Sequence, residues 1–338
     1  MKKTAIMFAC AAVLAVAAPA LAHHSAAAFD GQKKISVTGK VIEYRYMNPH
    51  IYLALEVTKE DGTKQRMEVE AGAASVLNAL GFTKDKLKVG DIVTITGSPS
   101  RRDPDKFMLG RDLTKQKDNS YVPLNIASRS ILELKPDAVA TSIAGTWFST
   151  SFGAYMGTAA KWPRTEEARA IGKRMSDARA TTQKDCIPIG LPSTMFYPVA
   201  TVITVQKDKV VMKIDWMDTE RTIYLDGRKH PPATQQFLHG HSVGRWEGKV
   251  LVAETTNFTK HDMGLSTSVP SSDQKKLIER FEVAPDGKAL IYSGTVEDPV
   301  YLTGPAEWSG RLAYRPGMPL SNQKCNVEVA RKFLGDLD

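Results

Sequence analysis

Between Lys34 and Thr114, apolar and polar residues alternate in short runs, and this period of two limits the fold more than any other feature of the chain. Ile35-Ser36-Val37-Thr38-Gly39-Lys40-Val41 alternates and then breaks at Met47-Asn48-Pro49-His50. Ile51 to Val57 follows, and Glu60-Asp61-Gly62-Thr63 turns the chain back into Gln65–Val69. Ala73 to Leu80 reads as a short helix stopped by Gly81, after which Asp91–Thr96 and Lys106–Leu113 read as two more strands. Successive side chains of a strand point to opposite faces, so each run offers one face to a core and one to water.

Three strands, a helix and two strands are the layout of a five-stranded, OB-like Greek-key barrel, a type that binds ligands on one face. In this layout Asn48-Pro49-His50 falls in the first inter-strand loop, on the ligand side. From Lys115 to Ser142 no period is sustained and Pro123 and Pro136 interrupt, so this stretch reads as a linker. A second unit opens at Ile143-Ala144-Gly145-Thr146-Trp147. Thr165 to Thr181 reads as a helix capped by Thr165, with Glu166 and Glu167 in its first turn and Ala168, Ile171, Met175 and Ala178 on one face. Seven strands are expected after it, from Thr201 to Tyr314, with tight turns at Lys207-Asp208-Lys209 and Pro285-Asp286-Gly287-Lys288. A meander of this kind closes most simply as an up-and-down antiparallel barrel. The expectation is thus a mainly β chain: an OB-like barrel over 23–114, a linker over 115–142, and an antiparallel barrel with one flanking helix over 143–338.

The first 22 residues read differently. Lys2 and Lys3 precede an apolar run from Thr4 to Ala18, and Ala20-Leu21-Ala22 is a small-residue cleavage pattern, which together describe a signal peptide over 1–22. The run is too short to span a bilayer, and nothing later reaches the roughly 18 apolar residues a membrane helix needs. The expectation is an exported, periplasmic protein with no membrane insertion. Removing Lys2 and Lys3 lowers the formal net charge of +8 by two, and the remaining basic residues are scattered, without the block expected for nucleic-acid binding. Cys186 and Cys325 survive processing, and in an oxidising compartment such a pair reads as one structural disulfide.

Cleavage after Ala22 makes His23 the N-terminus. The α-amine and Nδ1 of His23 then close a six-membered chelate ring, and a further imidazole from His24 or His50 brings the nitrogens to three. Such a tetragonal nitrogen set suits Cu(II), which also heads the affinity order of the divalent ions. His50 is the better third ligand, because the side chain of the adjacent His24 tends to point away. Ser25 at mature position three excludes the other common N-terminal copper motif, which requires histidine there.

In the second unit the polar residues cluster at Arg221 with Asp226-Gly227-Arg228-Lys229-His230-Pro231, at His239-Gly240-His241-Ser242-Val243-Gly244-Arg245-Trp246-Glu247-Gly248, and at Glu279-Arg280 with Glu297-Asp298-Pro299. Two chemistries follow. Asp226 or Asp298 with His230 or His241 forms an acid–base pair inside the barrel, and His239 and His241, two apart, share a strand face on which a metal is held. The sequence lacks a Gly-x-Ser-x-Gly elbow, a His-Glu-x-x-His motif, a phosphate loop and a Cys-x-x-Cys pair.

Gly145-x-Trp147 resembles the opening of lipocalin-like barrels, which implies a Trp closing the barrel floor against an arginine on a late strand, Arg280 or Arg311. His23-His24-Ser25, Gly39-x-Val41 and Asn48-Pro49-His50 resemble a family of exported bacterial domains of unknown function. Asp226-Gly227-Arg228-x-His230-Pro231 with Gly240-His241-Ser242-x-Gly244-x-Trp246-Glu247-Gly248 resembles a second uncharacterised exported family, though Lys249-Val250 stands where that family carries Asp-Thr. The leading expectation is a binding protein, with a copper-type ion at His23, His24 and His50 and a small apolar ligand in the second barrel. The alternatives are an enzyme using Asp226, His230, His241 and Asp298 on a small hydrophobic substrate, and a structural envelope protein with a filled barrel.

Overall fold

The computed structural model describes residues 28–126, 138–175 and 181–334; the expected signal peptide, with His23 and His24, lies outside the described residues. The first barrel is built from β1 (Ile35–Arg45), β2 (Tyr52–Thr58), β3 (Lys64–Glu70), a buried helix α1 (Ala74–Ala79), β4 (Ile92–Pro99) and β5 (Phe107–Lys115). The sheet runs β3-β2-β1-β4-β5, and a parallel pairing of β3 with β5 closes it. β4 continues past Gly97, where the sequence suggested a stop. The β4–β5 register shifts there, and a Cβ on Gly97 would lie 2.0 Å from the Leu109 carbonyl oxygen, so only glycine admits this close approach. β6 (Tyr121–Pro123), inside the expected linker, pairs with β5 and adds Val122 to the first core, which Leu124 just beyond it also joins.

The second barrel begins with β7 (Gly145–Ser149), followed by α2 (Phe152–Ala159) and α3 (Glu166–Met175). Then come β8 (Ala200–Val205), β9 (Lys209–Ile214), β10 (Thr219–Tyr224), β11 (His241–Glu247) and β12 (Val250–Thr256). A small hairpin of β13 (His261–Ser266) and β14 (Val269–Ser271) stands apart from the barrel, which is completed by β15 (Lys276–Val283), β16 (Ala289–Glu297) and β17 (Ala306–Tyr314). Nine strands close in a ring in which sequence neighbours are spatial neighbours. An odd ring cannot alternate direction throughout, and the exception falls at β10–β11, which are parallel. The meander is therefore interrupted once, by the crossing loop 225–240.

Period-two alternation aims Arg221, Ser242, Thr255, Glu279, Phe281, Tyr292 and Trp308 inward. A short 3₁₀ turn, Ser193–Phe196, inserts Phe196 among them. Phe196 lies 5.2 Å from the ring of Tyr292 and stacks at 4.5 Å on Tyr155 of α2, and a Cβ on Gly310 would meet it at 2.3 Å. The interior expected to hold an apolar ligand is, at these positions, filled by the chain's own aromatic rings. Trp147 is fully buried as expected, but it packs on Tyr314, with ring centroids 5.0 Å apart, and donates Nε1–H to the Ile143 carbonyl. Arg280 and Arg311 face outward, because each lies between inward-pointing neighbours, and they bond Glu247 and Asp286 instead.

The two barrels share α1. Ala74 and Leu77 belong to the first core, and Ala73 and Val76 to the second. The C-terminal segment reinforces the junction. Cys325 is disulfide-bonded to Cys186, 139 residues away in sequence, and α4 (Val327–Leu334) lays Val329 on the outer face of β2 at Tyr52 and Ala54. The β1–β2 loop, expected on the ligand side, is thus covered where residues 323–326 cross it, and α4 covers the outer face of β2. Asn48 is fully buried. It donates Nδ2–H to the Gln323 carbonyl, accepts from Ser75 through Oδ1, and its own carbonyl accepts from the Asn326 amide. Among the described residues no helix is long and apolar enough to cross a membrane.

Candidate functional site

Each barrel presents histidines in an organised setting. In the first, the β2–β3 ladder runs on beyond Tyr52–Glu70 through hydrogen bonds from Ile51 N–H to the Gly72 carbonyl and from Ala71 N–H to the Ile51 carbonyl. This extension lays His50 against the end of β3. Its Nδ1 is 3.0 Å from Oε1 of the buried Glu70 and 3.2 Å from the Ala71 carbonyl oxygen. A neutral imidazole donating from Nδ1 carries its lone pair on Nε2. A carboxylate or carbonyl behind one ring nitrogen is also the arrangement that orients histidine ligands in metal centres. The described chain starts close to this end of the barrel. Phe29 bridges Ser100, Ser100 N–H donates to the Phe107 carbonyl, and Phe107 pairs with Glu68. These steps are three inter-strand spacings of about 4.8 Å and end at Glu68, two residues short of Glu70.

In the second barrel the expected constellation is only partly assembled. His230 and His241 meet, with their Nδ1 atoms 3.0 Å apart. They meet on the outside of the barrel, because Ser242 points inward and its neighbour His241 must point out. The carboxylate beside them is Glu254, whose Oε1 is 3.4 Å from Nε2 of His230 and whose Oε2 is 2.7 Å from the Lys276 ammonium. The ring of His241 stacks on Tyr224 at 5.2 Å, and the Arg228 guanidinium covers Tyr224 at 3.6 Å. Burial lowers the pKa of His241, and the neighbouring His230 lowers it further.

The two aspartates serve elsewhere. Asp226 forms a turn-closing ion pair with Arg228, whose hydrogen bonds hold its pKa down to about 2. Asp298 is buried at the end of β16, where it accepts the Ser272 amide (2.7 Å) and hydroxyl (2.8 Å) and the amides of Val300 and Tyr301. Neither carboxylate hydrogen-bonds to a histidine among the described residues. His239 does not share a face with His241. It precedes the strand, is part-buried, and has its pKa depressed to about 3, first by desolvation and then by Arg221 and Lys275.

The barrel interior holds the polar network that the sequence scattered among three clusters. Arg221 Nη1 donates to Glu279 Oε1 at 2.9 Å, Nη2 pairs with Oε2, and Ser242 and Thr255 accept further bonds from the guanidinium. Glu279 also accepts from Tyr292 and Thr255, each at 2.6 Å. Every partner is a barrel residue, which marks the network as structural. Lys275, not singled out from the sequence, is completely buried. Its ammonium donates to the Leu191 and Gly264 carbonyls and sits 4.0 Å above Phe258, and burial lowers its pKa to about 7. Glu70, Glu254 and Lys275 carried no local signal: each acquires its role from a strand or loop distant in sequence.

The fold and these sites define a two-barrel β protein, disulfide-stapled, in which His50 of the first barrel and His230 of the second each lie beside a carboxylate. A family model, "Family of unknown function (DUF6152)", matches residues 11–106, which take in β1 to β4. The chain is also similar to the N-terminal domain of the PriB protein from Thermoanaerobacter tencongensis, at 18% identity and a TM-score of 0.17, over 25% of this chain and 96% of that one. That likeness is too loose to inform either fold or function. No curated protein matches the chain. Among the described residues no group of three or more histidine, cysteine or acidic side chains is poised to hold a metal ion.

Proposed function

We propose that the protein is exported, processed after Ala22, and binds one copper-type ion through the α-amine and Nδ1 of His23 with His50 as the third nitrogen ligand and His24 nearby. The observation that carries this reading is the Glu70 carboxylate 3.0 Å from Nδ1 of His50, which favours Nε2 as the metal-facing nitrogen. The second barrel serves as a filled scaffold packed against the first, since an apolar ligand there would have to displace Phe196 or Tyr292. We assign that barrel to the uncharacterised exported family that its Asp-Gly-Arg and Gly-His-Ser motifs resemble. An acid–base enzyme is the weaker reading, because Asp226 and Asp298 are engaged by Arg228 and by the 298–301 turn.

Cu(II) titration of correctly processed protein, followed by electron paramagnetic resonance, tests the proposal. One equivalent should bind with a nitrogen-rich tetragonal spectrum. Glu70→Gln should weaken binding by about tenfold, His50→Ala by more, and an N-terminal Gly-Ser-Gly-Ser extension most of all, since it turns the His23 amine into an amide without placing a histidine at position three. Equal affinity with and without the extension would overturn the chelate.

A further inference from the structure

We infer that His230 and His241 form a second metal site, on the outer face of the second barrel, for a divalent ion that favours near-right-angle nitrogen coordination, such as Ni(II) or Cu(II). Two nitrogens bound to one ion at about 2.0–2.1 Å lie about 2.9 Å apart at a right angle and about 3.3 Å apart at a tetrahedral angle. The observed Nδ1–Nδ1 separation of 3.0 Å falls near the right-angle value, which tetragonal Ni(II) and Cu(II) prefer and structural zinc does not.

The surroundings are arranged as for a pair of ligands. Glu254 stands behind Nε2 of His230, so a proton held on Nε2 leaves the lone pair on Nδ1, toward His241. Lys276 holds Glu254 in place at 2.7 Å. His241 is fixed by its stack on Tyr224, and Tyr224 is covered at 3.6 Å by Arg228, whose guanidinium Asp226 binds through both oxygens. The motif Asp226-Gly227-Arg228-x-His230 thereby acquires a single purpose: the Asp–Arg pair positions one ring while the loop delivers the other. Both histidines are only part-buried. The ion and the waters that complete its coordination reach the pair from solvent. Without metal, the same two atoms share one hydrogen bond.

The probe is Ni(II) alone, titrated into full-length protein whose mature N-terminus carries a Gly-Ser-Gly-Ser extension, so that neither the His23 amine nor a histidine at position three can contribute. The outcome is thus independent of the N-terminal proposal. One equivalent should bind and raise the thermal midpoint. His230→Ala and His241→Ala should each weaken binding at least tenfold, and Glu254→Gln by about tenfold with the stoichiometry unchanged. Both histidines lie outside the barrel, so the variants should melt, without metal, close to the parent; if one does not, His230→Gln serves in its place. No binding to the parent protein, or equal binding by parent and both alanine variants, would reduce the pair to a hydrogen bond and overturn the site.

Discussion

Glu279→Gln should destabilise the protein by about 3–5 kcal/mol, the usual cost of stranding one member of a buried ion pair. The carboxylate is completely inaccessible and accepts from Arg221 Nη1 and Nη2, Tyr292 Oη and Thr255 Oγ1. The glutamine keeps the shape but loses the charge, and its NH₂ group is set against those donors, none of which can turn to water. Arg221 then remains as a cation in an interior lined by Phe281, Phe196 and Tyr292. Arg221→Met should cost a similar amount for the converse reason. The double variant Arg221→Met/Glu279→Gln should lose less than either single change. It buries no charge, and the Ser242 and Thr255 hydroxyls, already 3.0 Å apart, can satisfy each other. Urea unfolding followed by tryptophan fluorescence measures all four proteins, with Trp308 5.7 Å from Tyr292 as a reporter. A loss below about 1 kcal/mol for Glu279→Gln, or additive losses in the double variant, would refute the reasoning and show that water reaches the network.

Acid should weaken the fold through His261. Its Nδ1 accepts the Met263 amide and its Nε2 donates to the Pro188 carbonyl, and burial lowers its pKa to about 4. Between pH 6.5 and about 4 the unfolded chain takes up a proton that the folded one refuses, so stability should fall by up to about 1.4 kcal/mol per pH unit on acidification. His261→Gln should flatten that slope in urea midpoints measured across the range; an unchanged slope would acquit this residue. Asn48→Ala should cost about 2–3 kcal/mol by stranding the Gln323 carbonyl and the Ser75 amide. Hydrogen exchange at residues 323–330 should accelerate while β15 and β16 stay protected, and uniform acceleration would argue against a local clasp.

The alternation of the sequence determined that the chain is β and where most strands lie, and it also determined the direction in which each strand residue points. Parity alone places Glu279 inside and Arg280 outside, and Ser242 inside and His241 outside. The expectation of an arginine beneath Trp147 and of an acid–base pair within the barrel ran against a period that was already legible. The pairing of Cys186 with Cys325 was also legible, because the expected cleavage removes Cys10 and leaves those two with only each other. Tertiary structure decided which chemistry is assembled. His230 reaches His241 across a loop of irregular backbone, and Glu70 reaches His50 across a hairpin. Asn48, which sequence placed at a ligand face, became the seat of the C-terminal segment. Those outcomes depend on strand register, on the path of a loop and, for Asn48, on contacts with residues some 275 positions away. A local pattern records which face a residue occupies, and it holds no information about which distant residue will occupy the space opposite.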